Sequence, residues 1–258
     1  MSELSAQFVG QQDFWANSKH RPDKAGDFLN RTEVIRMLAA DGLPGVKILD
    51  AGCGTGYVAE MLGRRGAHVW GIDECIPFID AATNSTANDV ARFQCGKIEK
   101  LPYGSECFDR VIAVSVLQYM YKGYIGEFFR HVARVLRKNG TMVVSMTHPD
   151  LYRLCYRDHE GDTQDKPAWI HFSGRSGSDG VDMVDTYTQH YFDASGNVSV
   201  LQGVRAYSGK DIADMAECAG LTMVSSRSIE YPKSLVEKYP QWGSAWGYPA
   251  YLILEFRK

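Results

Sequence analysis

An α/β fold, with a parallel sheet covered by helices on both faces, is what this 258-residue sequence predicts. Three observations carry that prediction. Apolar runs of strand length at 46–50, 68–73, 91–95, 108–115 and 141–146 alternate with stretches of helical period. The first run leads directly into Gly52-Cys53-Gly54-Thr55-Gly56, a glycine turn that opens a helix. The second, which includes His68-Val69-Trp70-Gly71-Ile72, ends on Asp73, about 20 residues beyond the turn.

Each element has a local cause. Residues 1–45 read as a helical lead-in, with Phe28, Arg31, Ile35, Leu38 and Gly42 near helical spacing and Asn30/Glu33 as an internal capping pair. Asp41-Gly42-Leu43-Pro44-Gly45 breaks that helix before the first strand. The helix after the glycine turn, 56–65, stops at Gly66, and Pro77 suits the first turn of the next helix, 78–82. Residues 124–138 are amphipathic through Ile125, Phe128, Val132 and Leu136, with Asn139-Gly140 as the expected cap. Residues 149–180 are polar, glycine-containing and read as irregular. Stretches 184–192 and 198–207 read as a hairpin around the turn 193–197. Ser208 and Asp211 are spaced to cap a helix that runs to Ala219 and stops at Gly220. Strands at 221–229 and 248–256 close the chain. The expected organisation is one domain, 1–258, with a core at 46–146, an acceptor-side lid insertion at 147–207 and a closing part at 208–258.

Composition narrows the function. Hydrophobic residues make up 45% and charged residues 23%, ordinary for a globular protein. A net charge of −3 and scattered Lys and Arg give no basic stripe, so no nucleic-acid partner is expected. Six cysteines contain no C-x-x-C pair, so neither a zinc knuckle nor a dithiol motif is expected, and no metal. The N-terminus lacks a basic and apolar leader, and no apolar run approaches the ~20 residues of a membrane span. A cytoplasmic protein with reduced thiols, no membrane partner and a monomeric or homodimeric state is the expectation.

A glycine turn paired with an acid at the tip of the next strand is how α/β proteins hold an adenosine. Backbone approaches the ligand at the glycines, and the acid accepts hydrogen bonds from ribose hydroxyls. The spacing separates cofactors: a dinucleotide loop starting at Gly52 needs a third glycine at position 57, where this chain has Tyr57, whereas here the third is Gly56. This G-x-G-x-G loop, with its strand and Asp73, resembles that of the class I S-adenosylmethionine (SAM) methyltransferases, and the chain is similar to their small-molecule, type 11-like branch.

That resemblance implies a Rossmann-like, doubly wound, seven-stranded and mostly parallel sheet, with an antiparallel last strand and an inserted lid or hairpin. It implies SAM as cofactor, S-adenosylhomocysteine as product and a small-molecule acceptor whose methylated atom (O, N or C) stays open. By position, Asp50, Gly52, Gly54 and Gly56 line the methionine end of SAM, and Asp73 takes the ribose with Glu74 and Cys75 flanking the adenosine. Lys97 stands where the family often has an acid on the adenine amino group, and Ile98 follows it beside the adenine. Lysine cannot accept that bond, so backbone and apolar walls replace it. Ser115 is implied beside the sulfonium. An enzyme that binds SAM without methylating, a cyclase or pericyclase on the same fold, is the alternative.

His148, at the end of the fifth strand, is the candidate general base, because a neutral imidazole there can take an acceptor proton near pH 7. The competing reading is that His148-Pro149 shapes the strand exit. Gln118, Tyr119, Tyr152, His190 and Tyr191 are candidates for the acceptor pocket, although strand alternation sends His190 and Tyr191 to opposite faces. Tyr156, Trp169, Phe172, Tyr187 and Trp242 are further candidates for its apolar wall, and Trp15 and His20 for a lid.

Overall fold

The structure is a computed structural model that describes residues 3–9, 11, 25–40, 42–155, 170–176, 184–192, 198–238 and 247–258. Its first strand, β1 (Lys47–Ala51), pairs in parallel with β2 (His68–Asp73) on one side and β4 (Phe108–Val114) on the other. Outside them, also in parallel, lie β3 (Ala91–Cys95) and β5 (Leu136–Thr147). Finally β10 (Pro249–Arg257) runs antiparallel between β5 and β9 (Thr222–Glu230). The order β3-β2-β1-β4-β5-β10-β9 is the doubly wound, seven-stranded sheet the sequence implies. Strand order reverses between β1 and β4, which opens a crevice at their carboxyl ends.

Alternation along the strands divides the core in two. Ile48, Val69, Ile112 and Val143 face Val34, Leu38, Val58 and Leu62, from α2 (Ala25–Ala40) and α3 (Tyr57–Gly63). Leu49, Ile72, Val111 and Val144 face the other way, onto Phe128, Val132, Ile212 and Ala216 of α5 (Lys122–Val135) and α7 (Gly209–Cys218). Neighbouring residues pointing to opposite faces, each met by helices, explain why these strands read as continuous apolar runs. The expected Ser208/Asp211 capping box starts α7, and Gly220 follows its end at φ 84°. Between β2 and β3 lies α4 (Ile76–Ser85), with Pro77 in its first turn.

The structure revises several sequence expectations. The helix expected at 124–138 ends at Val135, and β5 begins at once. Leu136 pairs with Phe108, while Asn139 N–H donates to the Lys258 carbonyl and Lys258 N–H to that of Gly140. Strand partners distant in sequence thus claim the backbone groups that a longer helix would use. The helix α2 runs without a break through Asn30 and Glu33, so these are not a capping pair. Instead Glu33 binds Arg36, and Asn30 is buried. The stretch expected to be irregular contains a helix, α6 (Pro149–Leu154), and a strand, β6 (Ile170–Ser176). The expected antiparallel pair forms as β7 (Thr186–Phe192) and β8 (Val198–Arg205), and β6 adds to it as the third strand of an antiparallel sheet. A short helix, α1 (Glu3–Val9), lies against β8: Gln11 Nε2 donates to Val200 O at 2.9 Å, and Gln7 Oε1 accepts from Gln202 N at 2.8 Å. These side chains occupy backbone groups of a sheet-edge strand.

Candidate functional site

Each glycine of the turn occupies the left-handed region: Gly52, Gly54 and Gly56 have φ of 76°, 52° and 81°. Their roles differ. A Cβ on Gly52 would stand 2.5 Å from Val116 Cγ2, and one on Gly56 2.7 Å from Phe93 Cζ, so both are packed under the loop. The Cβ position at Gly54 meets nothing within 4 Å and points to open space. Its N–H donates to Asp73 Oδ2 at 3.0 Å, while Cys75 N–H donates to Asp73 Oδ1 at 2.9 Å.

Burial raises the pKa of Asp73, against the lowering effect of those two N–H groups. Asp50, 2% exposed, is affected more: burial and then the Asp73 charge push its carboxyl to about 7, with Arg31 opposing. Asp50 Oδ2 is buried without a hydrogen-bond partner. The Cys75 thiol is raised to about 11, chiefly by burial, so it stands as a neutral wall group.

These groups open onto a cavity of about 640 Å³ at the carboxyl ends of β1, β2 and β4, a volume typical of small-molecule sites. Of the residues selected from sequence, Asp50, Gly52, Gly54, Asp73, Glu74, Cys75, Lys97, Ile98, Ser115 and Tyr119 line it. Gly56 lies beneath the loop and leaves the wall to its neighbours. Lys97 Nζ is 3.5 Å from Glu99 Oε1. Ser115 follows β4 with φ 57°, a left-handed backbone rare for serine. Its Oγ accepts from Asn30 Nδ2 at 2.9 Å, and Asn30 is fully buried.

Other candidates fall outside the wall. His148 N-caps α6, its Nδ1 accepting from Asp150 N at 3.2 Å, and burial lowers its pKa. Gln118 and Tyr152 are buried, with Tyr152 stacked on Tyr187 at 5.0 Å between centroids. His190 Nε2 lies 2.9 Å from Ser173 Oγ in the small sheet. Tyr191 is in β7, and its side chain, like that of Phe172, is outside the described residues, as are Trp15, His20, Tyr156, Trp169 and Trp242.

Sequence reasoning missed the roof. Gln7 and Phe8 of α1, Gln202, Gly203 and Arg205 of β8, and Tyr121 and Tyr124 of the segment after β4 all line the cavity. Phe8 bridges its two ends, edge-on to Phe78 at 5.9 Å and to Tyr119 at 5.3 Å. No motif marks such long-range packing; the tyrosines at 119, 121 and 124 were its one visible signal.

The arrangement suits a cofactor of mixed character. The open side of Gly54 admits a ligand to the backbone, Asp73 retains lone pairs for hydroxyls, and the unpartnered Asp50 oxygen favours a cation. SAM has these features in its ribose, ammonium and sulfonium. Among the described residues, no group of three or more His, Cys, Asp or Glu is placed to hold a metal, and no helix is long and apolar enough to cross a membrane.

Comparison with known proteins agrees. Residues 49–144 match the methyltransferase domain family. The mouse mitochondrial ubiquinone biosynthesis O-methyltransferase is 29% identical over 151 residues, 56% of this chain and 36% of that protein. The Bradyrhizobium diazoefficiens ubiquinone biosynthesis O-methyltransferase is 36% identical over 105 residues, 40% of each chain. The matched part therefore spans well under half the length of these relatives. A putative SAM-dependent methyltransferase from Listeria monocytogenes superposes with a TM-score of 0.66 at 18% identity, covering 91% of this chain and 97% of that one. The matched segment holds both the glycine loop and Asp73, so residues 49–144 match a methyltransferase domain, and the surrounding sheet shares the fold of the Listeria monocytogenes protein.

Proposed function

We propose that this protein transfers the methyl group of SAM to an oxygen atom of a small-molecule acceptor, within one domain whose residues 147–207 form the acceptor side. One observation carries the reading: a single cavity has an acidic, glycine-lined end at β1 and β2 and an aromatic end roofed by α1 and β8. The O-methyltransferase relatives support oxygen as the accepting atom.

SAM, when bound, supplies an electrophilic methyl on a positively charged sulfur. The chain's own residues bind and orient. Asp73 offers carboxylate oxygens already aligned by Gly54 and Cys75 N–H, and Asp50 supplies negative charge beside them. Glu74, Cys75, Lys97 and Ile98 complete that end. Because Ser115 Oγ accepts from Asn30, its own O–H remains to donate toward the cavity. Phe8 and Tyr119 close the middle, which excludes water and strengthens every polar contact inside.

Transfer to a positioned oxygen draws mainly on alignment at about 3–3.5 Å, and an acceptor hydroxyl, made acidic as its oxygen takes the methyl, releases its proton to solvent, so the reaction does not require a strong base. We assign His148 to capping α6, since its Nδ1 already accepts the Asp150 N–H. Tyr152, Gln118 and His190 support the walls from behind.

An acceptor panel scored by S-adenosylhomocysteine release tests the reading. Release that depends on an added small molecule, with SAM but not NAD bound in calorimetry, is the expected result. Turnover of a substrate without S-adenosylhomocysteine release would move the protein to the cyclase class and overturn methyl transfer.

A further inference from the structure

We infer that Asn30 is a positioning residue: from inside the core it turns the Ser115 hydroxyl into the cavity, where that hydroxyl donates to the carboxylate at the amino-acid end of SAM. This rests on the SAM-binding reading above and deepens it, by giving one end of the cofactor its partner.

Burial makes Asn30 unusual. It stands in α2 one turn before Val34, and both are fully buried. An amide in such a place is costly unless its polar atoms are hydrogen-bonded, whereas a leucine of similar size packs there without that cost. Asn30 Oδ1 is buried with no partner, and Nδ2 donates to Ser115 Oγ at 2.9 Å. The hydrogen bond that this side chain makes therefore goes to the wall of the cavity and not to the core around it. Ser115 is held from its other side as well. It follows β4 with φ 57°, a conformation that a serine keeps only when its surroundings impose it. Its N–H donates to Ser145 O at 2.8 Å, and the next residue, Val116, packs where a Cβ on Gly52 would stand. Backbone and side chain are both fixed, at the crevice between β1 and β4.

The direction of the hydroxyl follows from its valence. A serine oxygen has two lone pairs and one proton to donate. The Asn30 N–H occupies a lone pair on the α2 side and offers nothing there to receive the proton, so the O–H turns away from α2. Asp50 Oδ2, in the same wall, has no hydrogen-bond partner and is not the recipient. The proton is left for a ligand. Strand order then selects the ligand atom. Along the sheet edge the wall residues run from Lys97 and Ile98 after β3, through Asp73 of β2 and Asp50 of β1, to Ser115 after β4. Adenine and ribose belong to the β3 and β2 positions, which leaves the amino-acid end at β1 and β4. Its ammonium and the sulfonium repel a proton donor, whereas its carboxylate accepts one in a charge-assisted bond. Asp50 and Ser115 thus meet the two opposite charges of one amino-acid group.

Calorimetry with S-adenosylhomocysteine and its decarboxylated analogue, which keeps the amine, tests this. The wild type is expected to bind S-adenosylhomocysteine about tenfold more tightly or better, the worth of a charge-assisted hydrogen bond. Ser115→Ala is expected to lower that ratio about fivefold or more, with the analogue's own affinity changed by less than about twofold. Asn30→Leu is expected to lower the ratio in the same way while its melting temperature stays level or rises, which separates positioning from a structural role. The double variant is expected to lose no more than Ser115→Ala alone, since both changes remove one interaction. Equal binding of the two probes by the wild type, a ratio unchanged in either single variant, or losses that multiply in the double variant overturn the inference. If Asn30→Leu does not fold, Asn30→Asp decides: it has the same size but no amide donor, so the ratio is expected to fall, and an unchanged ratio overturns the inference. Failure of both probes to bind the wild type overturns the SAM reading and this inference with it, whereas intact binding with an unchanged ratio overturns this inference alone.

Discussion

The backbone N–H of Gly54 donates to Asp73 Oδ2 at 3.0 Å, which makes the centre of the glycine turn and the tip of β2 one unit. The acid therefore has a structural role beside the ribose-binding role proposed for it. Its second oxygen holds Cys75 N–H, at the entrance to α4, so one carboxylate sets the geometry of both loops at the cofactor end.

Asp73→Ala is expected to weaken S-adenosylhomocysteine binding by about 1.5–3 kcal/mol, the value of hydrogen bonds to a charged group. Asp73→Asn keeps one oxygen for one of the two N–H groups and is expected to lie between the wild type and Asp73→Ala. Calorimetry that finds all three proteins equal would remove Asp73 from the site.

Gly54 and Gly56 are expected to fail differently. Gly56→Ala places a Cβ against Phe93 and Ala82 at φ 81°, so it is expected to destabilise the fold by about 1–3 kcal/mol. A Cβ at Gly54 meets no protein atom within 4 Å, and Gly54→Val fills the space before the loop, so S-adenosylhomocysteine binding should be lost with a smaller fall in melting temperature. Retained binding in Gly54→Val would mean that ligand does not approach this backbone.

The sheet was legible because each strand carries its own signal: an apolar run, a glycine or proline boundary, and an amphipathic partner. The meeting of the glycine turn and Asp73 at one cavity was legible for the same reason, since Gly52 to Gly56 and Asp73 are local motifs. The roof was not. Gln7 binding β8 and Phe8 reaching Tyr119 join residues far apart in sequence, and nothing in α1 itself announces them. Asn30 illustrates the limit from the other side: a polar residue in an amphipathic helix reads as a cap, and only tertiary packing brings it to Ser115. The helix–strand boundary at Leu136 went astray because an apolar residue at helical spacing satisfies a strand equally well when its partner, Phe108, is a strand.

His148 separates a structural from a chemical role. As the N-cap of α6 it accepts through Nδ1, which requires that nitrogen to be unprotonated. Burial lowers its pKa below the usual 6.5, so the folded chain binds this proton less readily than the unfolded chain. Its stabilising contribution is then complete above the unfolded pKa and is lost as pH falls through the folded one. His148→Ala is expected to cost about 1 kcal/mol of stability near neutrality, the usual worth of a cap, and less in acid, with turnover nearly intact. A fall in turnover of about 10²–10⁴-fold, with melting temperature unchanged, would return His148 to the role of general base.

Asp50 offers the sharpest pH test. Its carboxyl stands at about 7 instead of 3.8, raised by burial and by Asp73. In that window the folded protein holds a proton that the unfolded chain has released, so this group lowers stability progressively as pH rises from 3.8 to about 7. Asp50→Asn removes the penalty and is expected to raise the melting temperature at pH 8 more than at pH 5. The binding of SAM should show the complementary trend. A cationic ligand favours the ionised carboxylate, so SAM affinity is expected to climb with pH up to about 7 and then level off, with proton release on binding below that point. In Asp50→Asn the affinity should be lower and this component of its pH dependence lost. Calorimetry in buffers of different ionisation enthalpy counts the released proton directly. Wild-type binding with no proton release between pH 5 and 7 would show that Asp50 does not face the cofactor's positive charge, and its high pKa would then reflect burial alone.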